Sequence, residues 1–214
     1  MTHSSPLPTR RRVLHRRALA MLSIVAAVAA ALVVFAPVTT PSAEAVFSGS
    51  NGKTGCSAVN MGHTRYPKFW YSGLTSRVAS HTDYARTYIV NTSDISSSKD
   101  SSLDANTNVV MADGAYTSTC GFDWYNEVDG GTLALTTCDT VYSSGDCRQH
   151  TVRISTTYFD GATTTQARGL LCHELGHAFG LMHASSSGTC MKYGVTNPAQ
   201  DWDSSEMSQI NANY

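Results

Sequence analysis

Residues 164–183 read TTQARGLLCHELGHAFGLMH, and this stretch carries most of the information about the fold. Its apolar residues recur every three or four positions, which predicts an amphipathic helix. Thr163, Thr164 or Thr165 can cap the start of that helix, and Gly180 can end it in a left-handed conformation. The sequence therefore predicts a helix from about Thr164 to Phe179. Its apolar stripe consists of Leu171, Leu175, Ala178 and Met182.

Two histidines and a glutamate stand within one turn of that helix, at positions 173, 174 and 177. Residues four apart lie on one helix face about one turn apart, so His173 and His177 present two imidazoles to one point. That arrangement suits a tetrahedral zinc ion. Glu174 is rotated by about 100° from His173. It therefore lies beside the metal position, where a carboxylate can take a proton from a water molecule.

Gly180 and His183 extend this HExxH pattern to HExxHxxGxxH. A helix that continued past Phe179 would carry residue 183 away from the first two histidines. A break at Gly180 lets the chain turn and brings His183 back as a third ligand. Three protein ligands leave the fourth position of zinc open, which is typical of a catalytic site rather than a structural one. We therefore predict one zinc ion held by His173, His177 and His183.

The long motif resembles that of the metzincin clan of zinc peptidases. Met191 lies in Cys190-Met191-Lys192-Tyr193, eight residues after His183, and this spacing is similar to the methionine turn of the matrixin branch. Ser204–Tyr214 resembles the closing helix of matrixin catalytic domains. The resemblance implies an α+β fold with a twisted, mainly parallel mixed β-sheet packed on a long active-site helix. It also implies a small C-terminal subdomain with the methionine turn and the terminal helix.

The same resemblance implies roles for particular residues. It implies a zinc-dependent endopeptidase with Glu174 as general base and with Met191 beneath the metal. Gly130–Ala134 is similar to the edge strand that pairs with substrate in that family, which implies protein or peptide substrates bound as an extended strand. Tyr193 falls where astacins and serralysins place a tyrosine, so it could assist zinc or the oxyanion, and a merely packed tyrosine is the alternative. The matrixin pro-domain switch PRCGxPD is absent, because the sequence around Cys56 does not match it.

Residues 1–45 are typical of a secretory signal peptide. Five arginines precede an apolar run from Ala18 to Ala36, and the small residues Ala43 and Ala45 are spaced as in a cleavage site. We predict cleavage after Ala45 and a catalytic domain at 46–214. An uncleaved membrane anchor is the alternative, because the apolar run is long enough to cross a bilayer.

Both alternatives place residues 46–214 outside the cytoplasm, and we expect a secreted, extracellular protein of bacterial type. Loss of the signal removes five arginines and one glutamate, so the remainder is mildly acidic. This charge does not favour nucleic-acid binding. We expect a monomer without stable membrane association once the signal is cleaved.

All six cysteines lie after the predicted signal. An even number in an exported chain indicates disulfides, although six cysteines allow 15 pairings. We favour Cys138–Cys147 across a hairpin, Cys172–Cys190 beside the active site, and Cys56–Cys120 by elimination. Zinc ligation by thiolates is disfavoured because no CxxC pair occurs.

The remaining elements are read more coarsely from composition and spacing. Ser76–Thr87 is compatible with an early helix, and Asp203 with Glu206 forms a capping box for a last helix. Short runs of β-branched, aromatic or apolar residues predict strands. These runs are Thr64–Trp70, Tyr88–Val90, Val109–Met111, Thr132–Thr137 and Thr151–Tyr158, and the last two flank a turn at Ser143–Asp146.

Two other functions remain open at this point. The first is a secreted binding or adhesion protein that keeps zinc for stability only, which an intact Glu174 disfavours. The second is hydrolysis of a non-peptide amide. Calcium binding is also left open, although no DxDxDG spacing is present.

Overall fold

The computed structural model describes residues 47–56, 59–117, 119–126, 128–194 and 199–214. The predicted signal peptide and its cleavage site lie outside these residues, and the domain boundary after Ala45 remains a prediction. Within the described ranges, no helix combines the length and the hydropathy needed to span a bilayer.

A five-stranded, mostly parallel sheet forms the centre of the fold. In the order β2-β1-β3-β5-β4, all neighbouring strands are parallel except β4, which runs antiparallel to β5 at one edge. The strands are β1 (Lys68–Ser72), β2 (Ser98–Lys99), β3 (Val109–Gly114), β4 (Ala134–Val141) and β5 (Cys147–Ser155). The expected α+β class with a mainly parallel mixed sheet is therefore confirmed.

Within the part of the chain that the structure describes, four α-helices accompany the sheet: α1 (Ser76–Tyr88), α2 (Thr156–Phe159), α3 (Thr164–Ala178) and α4 (Ser204–Asn213). α3 begins at a capping box between Thr163 and Gln166, and α4 begins at the predicted capping box between Asp203 and Glu206. Both reciprocal caps satisfy backbone N–H groups that a helix start leaves without partners. The helices predicted from periodicity at α1, α3 and α4 are thus confirmed to within a residue or two.

α3 packs against α1 on one side and against β4 and β5 on the other. Leu171 and Leu175 are fully buried and share one hydrophobic core with Phe69 and Met111 of the sheet. Met182 does not belong to this buried stripe, because it follows the end of the helix and 41% of its surface is exposed.

The prediction of a strand at Tyr88–Val90 is wrong. Tyr88 is the last residue of α1, and the N–H of Ile89 donates to the carbonyl of Ala85 in a helical pattern. Val90 then begins a single 3₁₀ turn. Ala85 and Ile89 are both buried and lie one helical turn apart, so the short apolar run is the inner face of a helix end.

Other strand boundaries differ from the prediction by several residues. The first strand runs over Lys68–Ser72 and starts just after Pro67, whose nitrogen has no proton to donate to a neighbouring strand. The predicted hairpin is present, but β5 ends at Ser155 and the chain then enters the short α2. The two-residue β2 consists of polar residues and gave no apolar signal.

Three disulfides join the cysteines as Cys56–Cys120, Cys138–Cys147 and Cys172–Cys190. These pairs coincide with the ones favoured from the sequence. Cys138–Cys147 closes the β4–β5 hairpin, and Cys172–Cys190 links α3 to the segment that contains Met191.

Gly176 lets Met191 approach the middle of α3. A Cβ at Gly176 would lie 2.9 Å from Met191 Cε, closer still to its Sδ, and 3.1 Å from Trp202 Nε1. Met191 is fully buried and Trp202 is nearly so, and neither can move aside freely. The helix therefore carries a glycine at the point where the C-terminal segment packs beneath it.

Gly176→Ala is expected to lower the free energy of unfolding by about 1–3 kcal/mol, because it overpacks this contact. The sign of this change distinguishes overpacking from helix propensity, because Gly→Ala in an open helix interior stabilises the protein by about 1 kcal/mol. Urea unfolding measures the difference. Gly161→Ala is the matched control, because its Cβ would meet only Tyr158 O at 3.8 Å. A Gly176→Ala protein as stable as the wild type would contradict the packing argument.

Candidate metal centre

The structure brings the three predicted histidines to one point. His173 and His177 project from α3, and their Nε2 atoms lie 3.1 Å apart. The Nε2 of His183 lies 3.2 Å from that of His177. The ligand atoms of all three residues lie within 4.8 Å of one another.

A turn at Gly180 returns His183 to the end of the helix. Gly180 has a φ of +91°, a backbone conformation that side-chain-bearing residues rarely adopt. The N–H of Leu181 donates to Gly176 O at 2.9 Å and closes the turn. Phe47 packs so closely here that a Cβ at Gly180 would lie 3.0 Å from its ring. Gly180 is therefore required both by the backbone conformation and by the packing.

Backbone carbonyls orient two of the three imidazoles. His173 Nδ1 donates to the carbonyl of Cys190 at 2.8 Å, and His177 Nδ1 donates to that of Leu181 at 2.7 Å. These bonds place the ring proton on Nδ1 and leave the Nε2 lone pairs facing the common point. Burial lowers the pKa of all three rings, and that of His177 falls to about 3. The rings are therefore neutral at neutral pH, which is the form that binds metal.

The spacing of these nitrogens fits a zinc ion. Two Nε2 atoms that both carry lone pairs cannot hydrogen bond to each other, so the arrangement of His173 and His177 suits a cation bound by both. For zinc–nitrogen bonds of about 2.0–2.1 Å, the edge of a tetrahedron is roughly 3.3 Å, close to the observed 3.1 and 3.2 Å. His173 and His177 lie against the protein, whereas His183 is exposed. The three histidines thus fit three of the four coordination positions of zinc and leave the fourth free on the exposed side of the site.

Glu174 lies beside this group and is only 5% exposed. The Thr136 hydroxyl lies 2.7 Å from Glu174 Oε2 and 2.9 Å from its carbonyl oxygen, so its one proton can serve either. Burial raises the pKa of Glu174 to about 7, while hydrogen bonds from Thr136 act in the opposite direction. A carboxylate with such a pKa can both accept and return a proton near neutral pH.

The histidines and Glu174 open into a cleft of about 620 Å³. One wall is β4 and the residues just before it, and the other is the start of α3 with the segment after Met191. Most of the lining is apolar, and it includes Leu133, Leu135, Leu170 and Tyr158. A mostly apolar cleft of this size with a few convergent polar groups is typical of a ligand-binding site.

The supporting residues named from the sequence take different positions. Met191 is fully buried under α3, as the methionine-turn resemblance implies. Tyr193 is 77% exposed, and its ring centroid lies 5.1 Å from that of His183. The structure thus places Tyr193 at the cleft next to the ring of His183 instead of in a core.

Residues 130–134 do not form the edge strand that the resemblance implied. Within this stretch only Ala134 belongs to β4. Gly130 pairs with Asn126 through backbone hydrogen bonds, and Thr132 pairs with Asp123 and Tyr125. The part of the edge beside the histidines is instead Ala134–Thr136.

Sequence reasoning missed several residues that hold the site in place. Thr136 touches Glu174, yet threonines are frequent in this chain and nothing in its neighbours marks it. The Thr189 hydroxyl accepts from the N–H of Met191 at 3.0 Å and bonds to the buried Glu206 of α4. In the sequence, Glu206 is the one residue that points to this contact, and its place in a capping box with Asp203 already accounts for it.

Calcium finds no support in the described residues. Side chains that could ligate a metal gather in threes at two places there, the three histidines and the group Cys138, Cys147 and His150. The second group is closed by its disulfide, and neither contains a carboxylate.

Comparison with known proteins adds little to this picture. No protein-family model matches the sequence, and no curated protein matches it either. Among solved structures, the crystal structure of archaemetzincin from Methanopyrus kandleri matches with a TM-score of 0.45 and 11% identity, over 73% of this chain and 97% of that chain. A likeness at this level does not establish a family.

The metal centre predicts one zinc ion per chain. His183→Ala should weaken zinc binding by more than about a hundredfold, because changes to residues that only orient the ligands already cost 10–100-fold. Competition with a fluorescent chelator measures the affinity, and elemental analysis measures the stoichiometry. His63→Ala is the control, since His63 bonds to Asp146 and lies outside the metal group. Equal zinc affinity in the His183 variant would exclude this residue as a ligand.

Proposed function

We propose that this protein is a zinc-dependent endopeptidase of the metzincin clan that acts outside the cell. The observation that carries the proposal is the convergence of three neutral imidazoles next to a buried carboxylate, with one side open to a large cleft. The three disulfides support an oxidising, extracellular compartment. The narrower assignment to the matrixin branch rests on the sequence resemblance at Met191 and at Ser204–Tyr214 and stays a prediction.

Zinc, when held by His173, His177 and His183, lowers the pKa of water to about 7 and polarises a carbonyl group. Glu174 accepts the proton of the attacking water and then donates it to the leaving amine. The Thr136 hydroxyl holds the Glu174 carboxylate in the orientation required for both transfers. Tyr193 is close enough to His183 to contact a bound substrate.

The substrate is proposed to add to the outer edge of β4 as an extended strand. In the β4–β5 ladder, Ser155 N–H donates to Leu133 O, whereas His150 N–H faces β3. Alternation along an antiparallel pair then directs the N–H and C=O groups of Ala134 and Thr136 away from β5. Main-chain hydrogen bonds to this edge would place the peptide across the metal centre.

Glu174→Gln tests the general base. It is expected to keep one zinc per chain and to lower kcat by about 10²–10⁴, the usual contribution of general acid–base catalysis. Hydrolysis of casein and of a peptide library, each with and without chelator, gives the readout. Asp160→Asn makes the same chemical change at an exposed helix end and should be neutral. Undiminished turnover in the Glu174 variant would remove this residue from the base role.

Thr136→Val tests the orientation of Glu174. Because a hydrogen bond to a charged group contributes about 1.5–3 kcal/mol, kcat should fall by about tenfold or more while KM and zinc content stay near the wild-type values. Thr137→Val on the same strand is the control, since the Thr137 hydroxyl bonds to Asp139 instead. A change confined to KM would assign Thr136 to substrate binding only.

A further inference from the structure

The free part of the β4 edge is short. Counting from Ala134, every second residue directs its main-chain groups outward, so the outward row consists of Thr132, Ala134, Thr136 and Cys138. For Ala134 and Thr136, no backbone partner on that side occurs within the described residues. The Thr136 hydroxyl hydrogen bonds to the Glu174 carboxylate, which places the catalytic base at this point of the row.

The chain's own segments occupy both ends of the row. At one end, Thr132 N–H donates to Asp123 O at 2.7 Å, and Tyr125 N–H donates to Thr132 O at 2.9 Å. At the other end, Gly55 N–H donates to Cys138 O at 2.7 Å. Gly55 therefore lies at the position that the main chain of a peptide paired with β4 would otherwise take.

The segment that contains Gly55 is fixed at two points. Gly52 N–H and the Asn60 side-chain amide both donate to Gly145 O at 2.9 Å, which ties Gly52 and Asn60 to the β4–β5 turn. The Cys56–Cys120 disulfide links this segment to the one that occupies the opposite end of the row. Cys56 itself lines the cleft.

We propose that Gly55 and Cys56 close one end of the substrate groove and so limit the length of peptide that the enzyme accepts. This inference rests on the proposed function. Thr136 marks the catalytic base, and Cys138 lies two residues farther along β4, roughly 7 Å away. Only about two substrate residues fit on that side of the cleaved bond, whereas Thr132 lies about twice as far on the other side.

Two series of synthetic peptides test this limit on the wild-type enzyme. Both share one cleaved bond found with a peptide library, and one series is lengthened toward the N-terminus and the other toward the C-terminus. In one series kcat/KM should stop rising after about two residues, and in the other it should continue to about four. Equal gains in both series to the same length would overturn the proposal.

Cys56→Ser/Cys120→Ser identifies the residues that set the limit. Removal of the disulfide should free this end of the groove. Longer peptides of the limited series should then gain about tenfold in kcat/KM over the short ones, because one or two added hydrogen bonds have an effect of this size. Lys53→Ala is the control, because this exposed side chain belongs to the same segment but leaves Gly55 in place. Zinc content and circular dichroism establish that each variant is folded. A folded double variant with the wild-type length profile would overturn the assignment.

Binding measurements separate this inference from the proposed function. Fluorescence anisotropy of the same peptides with Glu174→Gln protein reports the groove without turnover. If zinc-loaded wild-type protein cleaves no peptide, the proposed function is wrong, and the binding series still shows whether affinity stops rising on one side. If peptides are cleaved and affinity rises equally on both sides, only the length limit is wrong.

Discussion

The close approach of three imidazole nitrogens is the constraint on which the rest of this structure depends, with 3.1 Å between Nε2 of His173 and His177 and 3.2 Å between those of His177 and His183. His173 and His177 cannot hydrogen bond to each other through these atoms, because their ring protons are donated to Cys190 O and Leu181 O. A cation at the common point would stabilise this arrangement, and the surrounding fold holds it by packing and by hydrogen bonds. The turn at Gly180 and the disulfide at Cys172 both serve that purpose.

The C-terminal part of the chain supports the metal centre from below. Glu206 of α4 bonds to Thr189, which in turn holds the N–H of Met191. The intervening residue Cys190 supplies the carbonyl that orients His173 and the sulfur that links to α3. α4 is therefore coupled to His173 through the three consecutive residues Thr189, Cys190 and Met191.

The sequence allowed good prediction wherever a local rule determined the outcome. The long helix, the capping box at Asp203 and the glycine at the turn follow from periodicity and from backbone conformation. Each of these three features is determined by residues that lie near one another in the chain. The long motif also predicted His183 as a ligand, because the glycine at position 180 lets the chain turn back toward the first two histidines.

Prediction failed where distant segments decide the structure. The apolar run Tyr88–Val90 has only three residues and no measurable period, so its composition predicts a strand where the chain forms a helix end. The substrate edge was placed at Gly130–Ala134, yet Trp124 and its neighbours pair with Thr132, and no local pattern in either segment announces that pairing. The same holds for Thr136 and Glu174, which meet only because α3 crosses the edge of the sheet.

Phe47 has a consequence for the order in which the molecule assembles. It forms a β-bridge with Leu181 and packs on the Gly180 turn, although almost the whole folded chain separates the two segments. Contacts between such distant residues form late, because loop-closure entropy opposes them until other structure is in place. During synthesis from the N-terminus, Phe47 must wait for nearly all of the domain before its partner exists. We therefore expect the turn at Gly180, which positions the candidate ligand His183, to be completed late in folding.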